Sequence, residues 1–130
     1  MRPLSRELLH KETTSAILRC AVDVHRSLGP GLLEKAYRQC MVHALSTCGL
    51  QVDREVPVAV QYEGCTIDNA FRADLVVDQS VVVELKSVDR LLPIHDAQLL
   101  TYLRFLKVRV GLLLNFNVTR IDKGVRRLVL

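Results

Sequence analysis

The chain has 130 residues, of which 49% are hydrophobic and 25% are charged, and it contains no tryptophan. This length and composition predict one globular domain over 1–130 and exclude a disordered or collagen-like chain. The formal net charge of +4 is unevenly distributed, because residues 100–130 contain seven lysines and arginines but only one acidic residue, which permits a polyanionic partner such as nucleic acid.

Two amphipathic helices are predicted at the start of the chain. Apolar residues recur at helical spacing over 5–28, and the sequence Gly29-Pro30-Gly31 then interrupts the pattern. A second helix is predicted at 31–48, where Tyr37, Met41 and Leu45 lie on one stripe. Gly49 follows this helix at the position of a C-terminal cap.

Three strands are predicted next, because the hydrophobic period changes to two from residue 51 onward. The first strand ends at Tyr62, before a turn at Glu63-Gly64. The second strand is predicted at 71–78 and the third at 81–87, with a tight turn at 78–80 between them.

A helix and further strands complete the predicted order. Pro93 can open a helix that runs to about Leu106, and the apolar run 108–116 is typical of a strand covered on both faces. Residues 125–130 are predicted as an edge strand. The resulting order, α-α-β-β-β-α-β, predicts the α/β (α+β) class, with a mixed sheet flanked by helices.

Two polar residues interrupt the apolar third strand. Alternation puts Glu84 and Lys86 on the same face, about 7 Å apart along the strand, while Val83 and Leu85 point the other way. A carboxylate and an ammonium group at the end of so apolar a strand indicate a shared site at the rim of the sheet. The alternative is an ordinary ion pair at the surface.

Asp74 is predicted to lie beside Glu84. If the 78–80 turn joins strands 71–78 and 81–87 in a hairpin, the two carboxylates are cross-strand neighbours about 5 Å apart, where like charges repel. A divalent cation between them would offset this repulsion, and Mg²⁺ accepts hard oxygen ligands of this kind. A different register would leave both residues in solvent.

Three further polar residues lie on helices at positions that favour a site. Glu34 falls beside the apolar stripe of the second helix, where a carboxylate needs a charge, a metal or water; the alternative is a helix-start acid favoured by the helix dipole. Gln98 and Tyr102 are four residues apart and share one face of the last helix, which is also compatible with a simple polar flank.

Taken in order, these residues resemble those of the PD-(D/E)xK nuclease superfamily, whose core is α-β-β-β-α-β. The matching residues are Glu34, Asp74, Glu84-Leu85-Lys86 and Gln98-Leu99-Leu100-Thr101-Tyr102. More narrowly, Gly31-Leu32-Leu33-Glu34-Lys35-Ala36-Tyr37 looks like the signature of the GxxExxY family, and the resemblance covers about 15–127.

The resemblance implies a restriction-endonuclease-like fold and a role for each matching residue. Asp74 and Glu84 would bind a divalent metal, Mg²⁺ or Mn²⁺, and Glu34 would complete its shell directly or through water. Lys86 would orient or deprotonate the attacking water, and Gln98 and Tyr102 would position the catalytic face.

Two functions of different classes are compatible with these patterns. The first is an Mg²⁺-dependent nuclease that hydrolyses DNA, with Arg126 and Arg127 of the basic C-terminal quarter contacting phosphates. The second is a non-catalytic module that binds nucleic acid or protein and retains the nuclease fold. In either case the chain could act as a homo-oligomer or as a subunit of a larger complex.

A cytoplasmic location without membrane attachment is expected. No apolar run reaches the roughly 20 residues that span a bilayer, and residues 1–11 lack the apolar region of a secretory signal. The four cysteines include no CxxC pair and are interpreted as buried thiols in a reducing compartment, in preference to a metal site.

Overall fold

A computed structural model describes residues 9–130, which form three α-helices, one short 3₁₀-helix and five β-strands. In chain order these are α1 (Lys11–Leu28), α2 (Glu34–Thr47), β1 (Val52–Tyr62), β2 (Cys65–Val77), β3 (Val81–Lys86), α3 (Pro93–Leu106), β4 (Val110–Asn115), the 3₁₀-helix Ile121–Gly124 and β5 (Val125–Val129). The predicted order of elements is confirmed. Residues 5–8 of the first predicted helix lie outside the described residues.

The hairpin of β1 and β2 is longer than the sequence predicts. Strand β2 begins at Cys65 rather than at residue 71, and Cys65 pairs with Tyr62 directly across the turn. Glu63 and Gly64 both have positive φ, 47° and 78°, as a two-residue turn of the type favoured in hairpins requires. Residues 65–70 have no buried face, so the hydrophobic alternation that predicts a strand is absent from this part of β2.

The five strands form one mixed sheet in the order β1-β2-β3-β4-β5. Only β3 and β4 are parallel to each other, and α3 is the crossover that a parallel pair needs. β3 and β4 lie at the centre, and every residue of both strands except Lys86 is buried. The fold is therefore the mixed α+β arrangement that the sequence predicts.

Helices cover both faces of this sheet. α1 and α2 pack on one face, where Ile17 and Met41 join a cluster with Val83 and Leu112 of the central strands. α3 packs on the other face, where Leu99 and Leu103 meet alternate residues of the same strands, Val82 and Leu113. Within residues 9–130, no helix combines the length and the apolar character needed to cross a bilayer.

Candidate active site

Asp74 and Glu84 lie side by side where the pairing of β2 with β3 ends. Leu75 and Val83 are the last paired residues at this end of the ladder. One step further, the backbone N–H of Asp74 donates to Oε1 of Glu84 at 2.8 Å, and the N–H of Leu85 donates to Oδ2 of Asp74 at 2.8 Å. Each carboxylate thus replaces a main-chain acceptor at the point where the strands separate.

The environment of Glu84 disfavours its charged form. Its residue is only 5% exposed, and burial together with the negative charge of Asp74 raises the pKa of Glu84 from 4.5 to about 8. The bond from the Asp74 N–H and the positive charge of Lys86 act in the opposite direction. In the absence of a cation, this carboxyl group therefore retains its proton at neutral pH.

Arg38, which no sequence motif singled out, contacts Asp74 of this pair from α2. Its Nη1 lies 3.2 Å from Oδ1 of Asp74, and its Nη2 lies 3.4 Å from Oε1 of Glu55 on β1. Glu55 has a positive φ of 49°, which is uncommon for a residue with a side chain. The only sequence signal for Arg38 is its spacing of four residues from Glu34, which places the two on one helical face.

Lys86 is half-buried at the end of β3, and the loop that follows it is fixed by Asn115. The backbone N–H of Val88 donates to Oδ1 of Asn115 at 3.1 Å, while Nδ2 of Asn115 donates to the Val88 carbonyl at 2.9 Å. Asn115 is 2% exposed, so its amide makes these hydrogen bonds in a buried position. Asn115 is thus a buried polar residue of the apolar run 108–116 that supports the segment after Lys86.

α3 brings Tyr102 near the carboxylate pair from the other side. Burial is the main cause that raises the pKa of the Tyr102 hydroxyl, and the negative charges of Glu84 and Asp74 raise it further. The Tyr102 ring also contacts that of Phe71, with 5.4 Å between centroids. Gln98, one turn earlier, is exposed, and its side chain makes no hydrogen bond with any residue of 9–130.

Glu34 begins α2 and is half-buried, but the structure does not bring it into the carboxylate pair. Across residues 9–130 no three His, Cys, Asp or Glu side chains form a group that could hold a metal ion, and Glu34 makes no ion pair there. The start of α2 is nevertheless close to the end of β3, because Oγ of Ser87 donates to the Leu32 carbonyl at 2.5 Å.

Tyr37, three residues after Glu34, has a structural role. Its hydroxyl donates to the Gly29 carbonyl at 2.6 Å and accepts from the Leu32 N–H at 3.1 Å. Its ring stacks on Phe116 with 4.5 Å between centroids. These contacts fix the loop between α1 and α2, and with it the position at which α2 begins.

The donors at this site suit a hard divalent cation. Asp74 and Glu84 offer carboxylate oxygens, which Mg²⁺ and Mn²⁺ prefer, and such ions commonly keep several water ligands when a protein supplies only two. A cation would also offset the repulsion that raises the pKa of Glu84. The residues present therefore fit such an ion.

One comparison with known proteins gives a match. A family model for the PD-(D/E)XK nuclease superfamily matches residues 11–128, which include the carboxylate pair, Lys86 and the whole of α3. No curated protein and no solved structure matches the chain.

Proposed function

Because this chain belongs to the PD-(D/E)XK nuclease superfamily, we propose that it is a metal-dependent nuclease that hydrolyses phosphodiester bonds in DNA. The observation that carries the proposal is the adjacent pair Asp74 and Glu84, with Lys86 two residues further along the same strand as Glu84. The segment 31–37 supports membership of the narrower GxxExxY family. We also propose that residues 1–130 form one domain.

Each side chain has a distinct part in the proposed reaction. Asp74 and Glu84 would hold Mg²⁺ or Mn²⁺. Glu34, which the structure does not bring into the pair, would contribute through water. The ion, when bound, supplies stabilisation of negative charge and a lower pKa for a bound water. Lys86 orients or deprotonates the attacking water.

Residues on the helices position the substrate in this proposal. Gln98 and Tyr102 of α3 orient the catalytic face. Arg38 neutralises Asp74 while no metal is bound, as its 3.2 Å contact supports. A guanidinium group beside two carboxylates is also suited to bind the non-bridging oxygens of a phosphate group.

A non-catalytic module that binds nucleic acid or protein is the second candidate. It is favoured by one observation, namely that within residues 9–130 no third acidic or histidine ligand joins the pair. Such a module would act within a homo-oligomer or a larger complex. For either function we propose a cytoplasmic location, which is consistent with four free cysteines.

Incubation with nucleic acids separates the two functions. The protein is mixed with linear or circular duplex DNA, single-stranded DNA or RNA, in the presence of Mg²⁺, Mn²⁺ or EDTA. The nuclease proposal expects cleavage of DNA that stops in EDTA. Binding without cleavage under every condition would contradict it and favour the module.

Two variants test the roles of the site residues. Asp74→Asn should lose both cleavage and Mn²⁺ binding by calorimetry, whereas Lys86→Gln should lose cleavage and retain Mn²⁺ binding. Asp68→Asn, in the exposed part of the β1–β2 hairpin, is the matched control and should behave as wild type. Equal Mn²⁺ binding by Asp74→Asn and wild type would contradict the assignment of the metal site.

A further inference from the structure

Two cysteines, one within α1 and one directly after α2, lie in contact outside the candidate active site. The sulfur of Cys20 in α1 is 3.7 Å from that of Cys48, which caps the C-terminal end of α2. Cys20 is 3% exposed, whereas Cys48 is exposed, as is Cys65. The interpretation of all four cysteines as buried thiols is therefore wrong for Cys48 and Cys65.

The contact places these two sulfurs within reach of a covalent bond. Bonded sulfurs are about 2.05 Å apart, so a small movement of one side chain would close the gap. Cys48 can make that movement because it stands at the helix end, where its residue is exposed to solvent. Cys20 is held in the middle of α1, among buried residues such as Ile17 and Tyr37.

We propose that Cys20 and Cys48 form an oxidisable dithiol, which peroxide converts into a disulfide that links α1 to α2. The Cys48 thiolate attacks one oxygen of hydrogen peroxide, which breaks the O–O bond and yields a sulfenic acid and hydroxide. The Cys20 sulfur then attacks the Cys48 sulfur, loses its proton and expels a second hydroxide. In sum, two thiols and one peroxide give one disulfide and two waters.

The two thiols have different parts in this reaction. Burial, followed by the contact with Cys48, raises the pKa of Cys20 to about 11, so its thiolate is scarce at neutral pH. Cys48 is the exposed thiol and therefore reacts first with peroxide. A reductant reaches the disulfide only at Cys48 and must expel the Cys20 thiolate, which is a poor leaving group. The disulfide should consequently be reduced slowly.

The disulfide would restrain the two helices that cover one face of the sheet. The two cysteines are 28 residues apart, so the bond closes a loop that contains the α1–α2 connection. A cross-link of this length stabilises the folded protein by restricting the unfolded chain. This inference does not depend on the nuclease proposal.

Treatment of the full-length protein with hydrogen peroxide in EDTA tests the proposal. Peptide mapping without reductant should find Cys20 joined to Cys48, and the melting temperature should rise by roughly 5 °C or more. Dithiothreitol should reverse both changes.

Two variants of exposed cysteines make the test specific. Cys48→Ser should abolish both the linked peptide and the rise in melting temperature, while Cys65→Ser should preserve both. The proposal is overturned if peroxide gives only sulfenic or sulfinic acid at Cys48 while Cys20 stays free to react with maleimide after denaturation. A linkage through Cys65 alone would overturn it as well.

Discussion

At the scale of single residues, the fold changes the acidity of the Glu84 carboxyl group. In an unfolded chain its carboxyl group is hydrated and ionised at neutral pH. In the folded protein it is buried, and the nearest ionisable neighbour along the adjacent strand is another acid, Asp74. The pKa of Glu84 therefore rises to about 8, and a proton or a metal ion must offset the second negative charge.

This shift predicts that metal-free protein loses stability as pH rises. Because the folded pKa of about 8 exceeds the ordinary 4.5, the folded state holds a proton that the unfolded state releases between these values. The free energy of unfolding should thus fall between about pH 4.5 and pH 8, by an amount on the order of a few kcal/mol. Urea unfolding in EDTA across this range measures it.

Glu84→Gln is the informative variant for this pH dependence. The amide cannot titrate, so the fall in stability between pH 4.5 and pH 8 should become much shallower. Glu63→Gln, at the exposed hairpin turn, should leave the slope as in wild type. An unchanged slope in Glu84→Gln would show that other groups cause the dependence.

The position of Arg38 predicts that its replacement has opposite effects on metal binding and on cleavage. Its guanidinium group contacts Asp74 at 3.2 Å and therefore competes with a cation for that carboxylate. Arg38→Gln should tighten Mn²⁺ binding by roughly threefold to tenfold, since one positive charge near the site is removed. Cleavage should nevertheless become slower, because a phosphate ligand is lost.

Calorimetry with Mn²⁺ and single-turnover cleavage measure these two effects separately. Lys35→Gln removes a positive charge from the exposed side of the same helix and should change neither. Weaker Mn²⁺ binding by Arg38→Gln would contradict the competition. An absence of Mn²⁺ binding by wild type would instead count against the nuclease proposal itself.

At the scale of elements, the sequence pattern predicted contacts between neighbouring strands but not contacts that depend on helix packing. The alternation in 81–86 and the turn at 78–80 determine which residues of β2 and β3 face each other, so the proximity of Asp74 and Glu84 followed from sequence. The contact of Arg38 with Asp74 did not, because it depends on how α2 packs across the sheet. The extent of β2 was missed because residues 65–70 have no buried, alternating face.

The hydrogen bonds between β2 and β3 also change the expected role of Asp74 in stability. Charge repulsion alone predicts that Asp74→Ala is no less stable than wild type in EDTA. In the structure, however, Oδ2 of Asp74 accepts from the Leu85 N–H and Oδ1 contacts Arg38. Removing the side chain leaves a buried donor without its acceptor, which offsets the relief of repulsion.

We therefore predict that Asp74→Ala unfolds more easily than Asp74→Asn. The asparagine retains an oxygen that can accept from Leu85 and removes the negative charge, so it should match or exceed wild type in EDTA. The alanine variant should be less stable than the asparagine variant by about 1–3 kcal/mol. Urea denaturation compares them, and equal stability would show that the hydrogen bond at the end of the ladder contributes little.

At the scale of the whole molecule, several arginines of the basic segment 100–130 are paired with other groups of the protein. Arg126 pairs with Asp96 at 2.6 Å, and Arg127 donates to the Leu9 carbonyl at 2.7 Å. Arg120 pairs with Asp122 at 2.9 Å. The arginines expected to bind phosphates are thus engaged within the protein.

Other cations are better placed to bind a nucleic acid. Arg72 and Arg90 are exposed, and neither makes an ion pair or a side-chain hydrogen bond with any residue of 9–130. Arg72 precedes Asp74 by two residues on β2, and Arg90 follows Lys86 by four residues. Both arginines are therefore close in sequence to residues of the candidate active site.

The salt dependence of DNA binding should identify the arginines that contact phosphates. Each phosphate contact contributes about 0.9 to the slope of log affinity against log salt concentration for duplex DNA. Arg72→Gln and Arg90→Gln should therefore each reduce the slope by about one, as measured by fluorescence anisotropy in EDTA. Arg126→Gln should leave the slope unchanged and lower thermal stability instead, because it leaves Asp96 without its partner. If Arg126→Gln flattens the slope while the other two variants do not, the phosphates lie along the C-terminal strand, and the nucleic acid does not approach the carboxylate pair through Arg72 and Arg90.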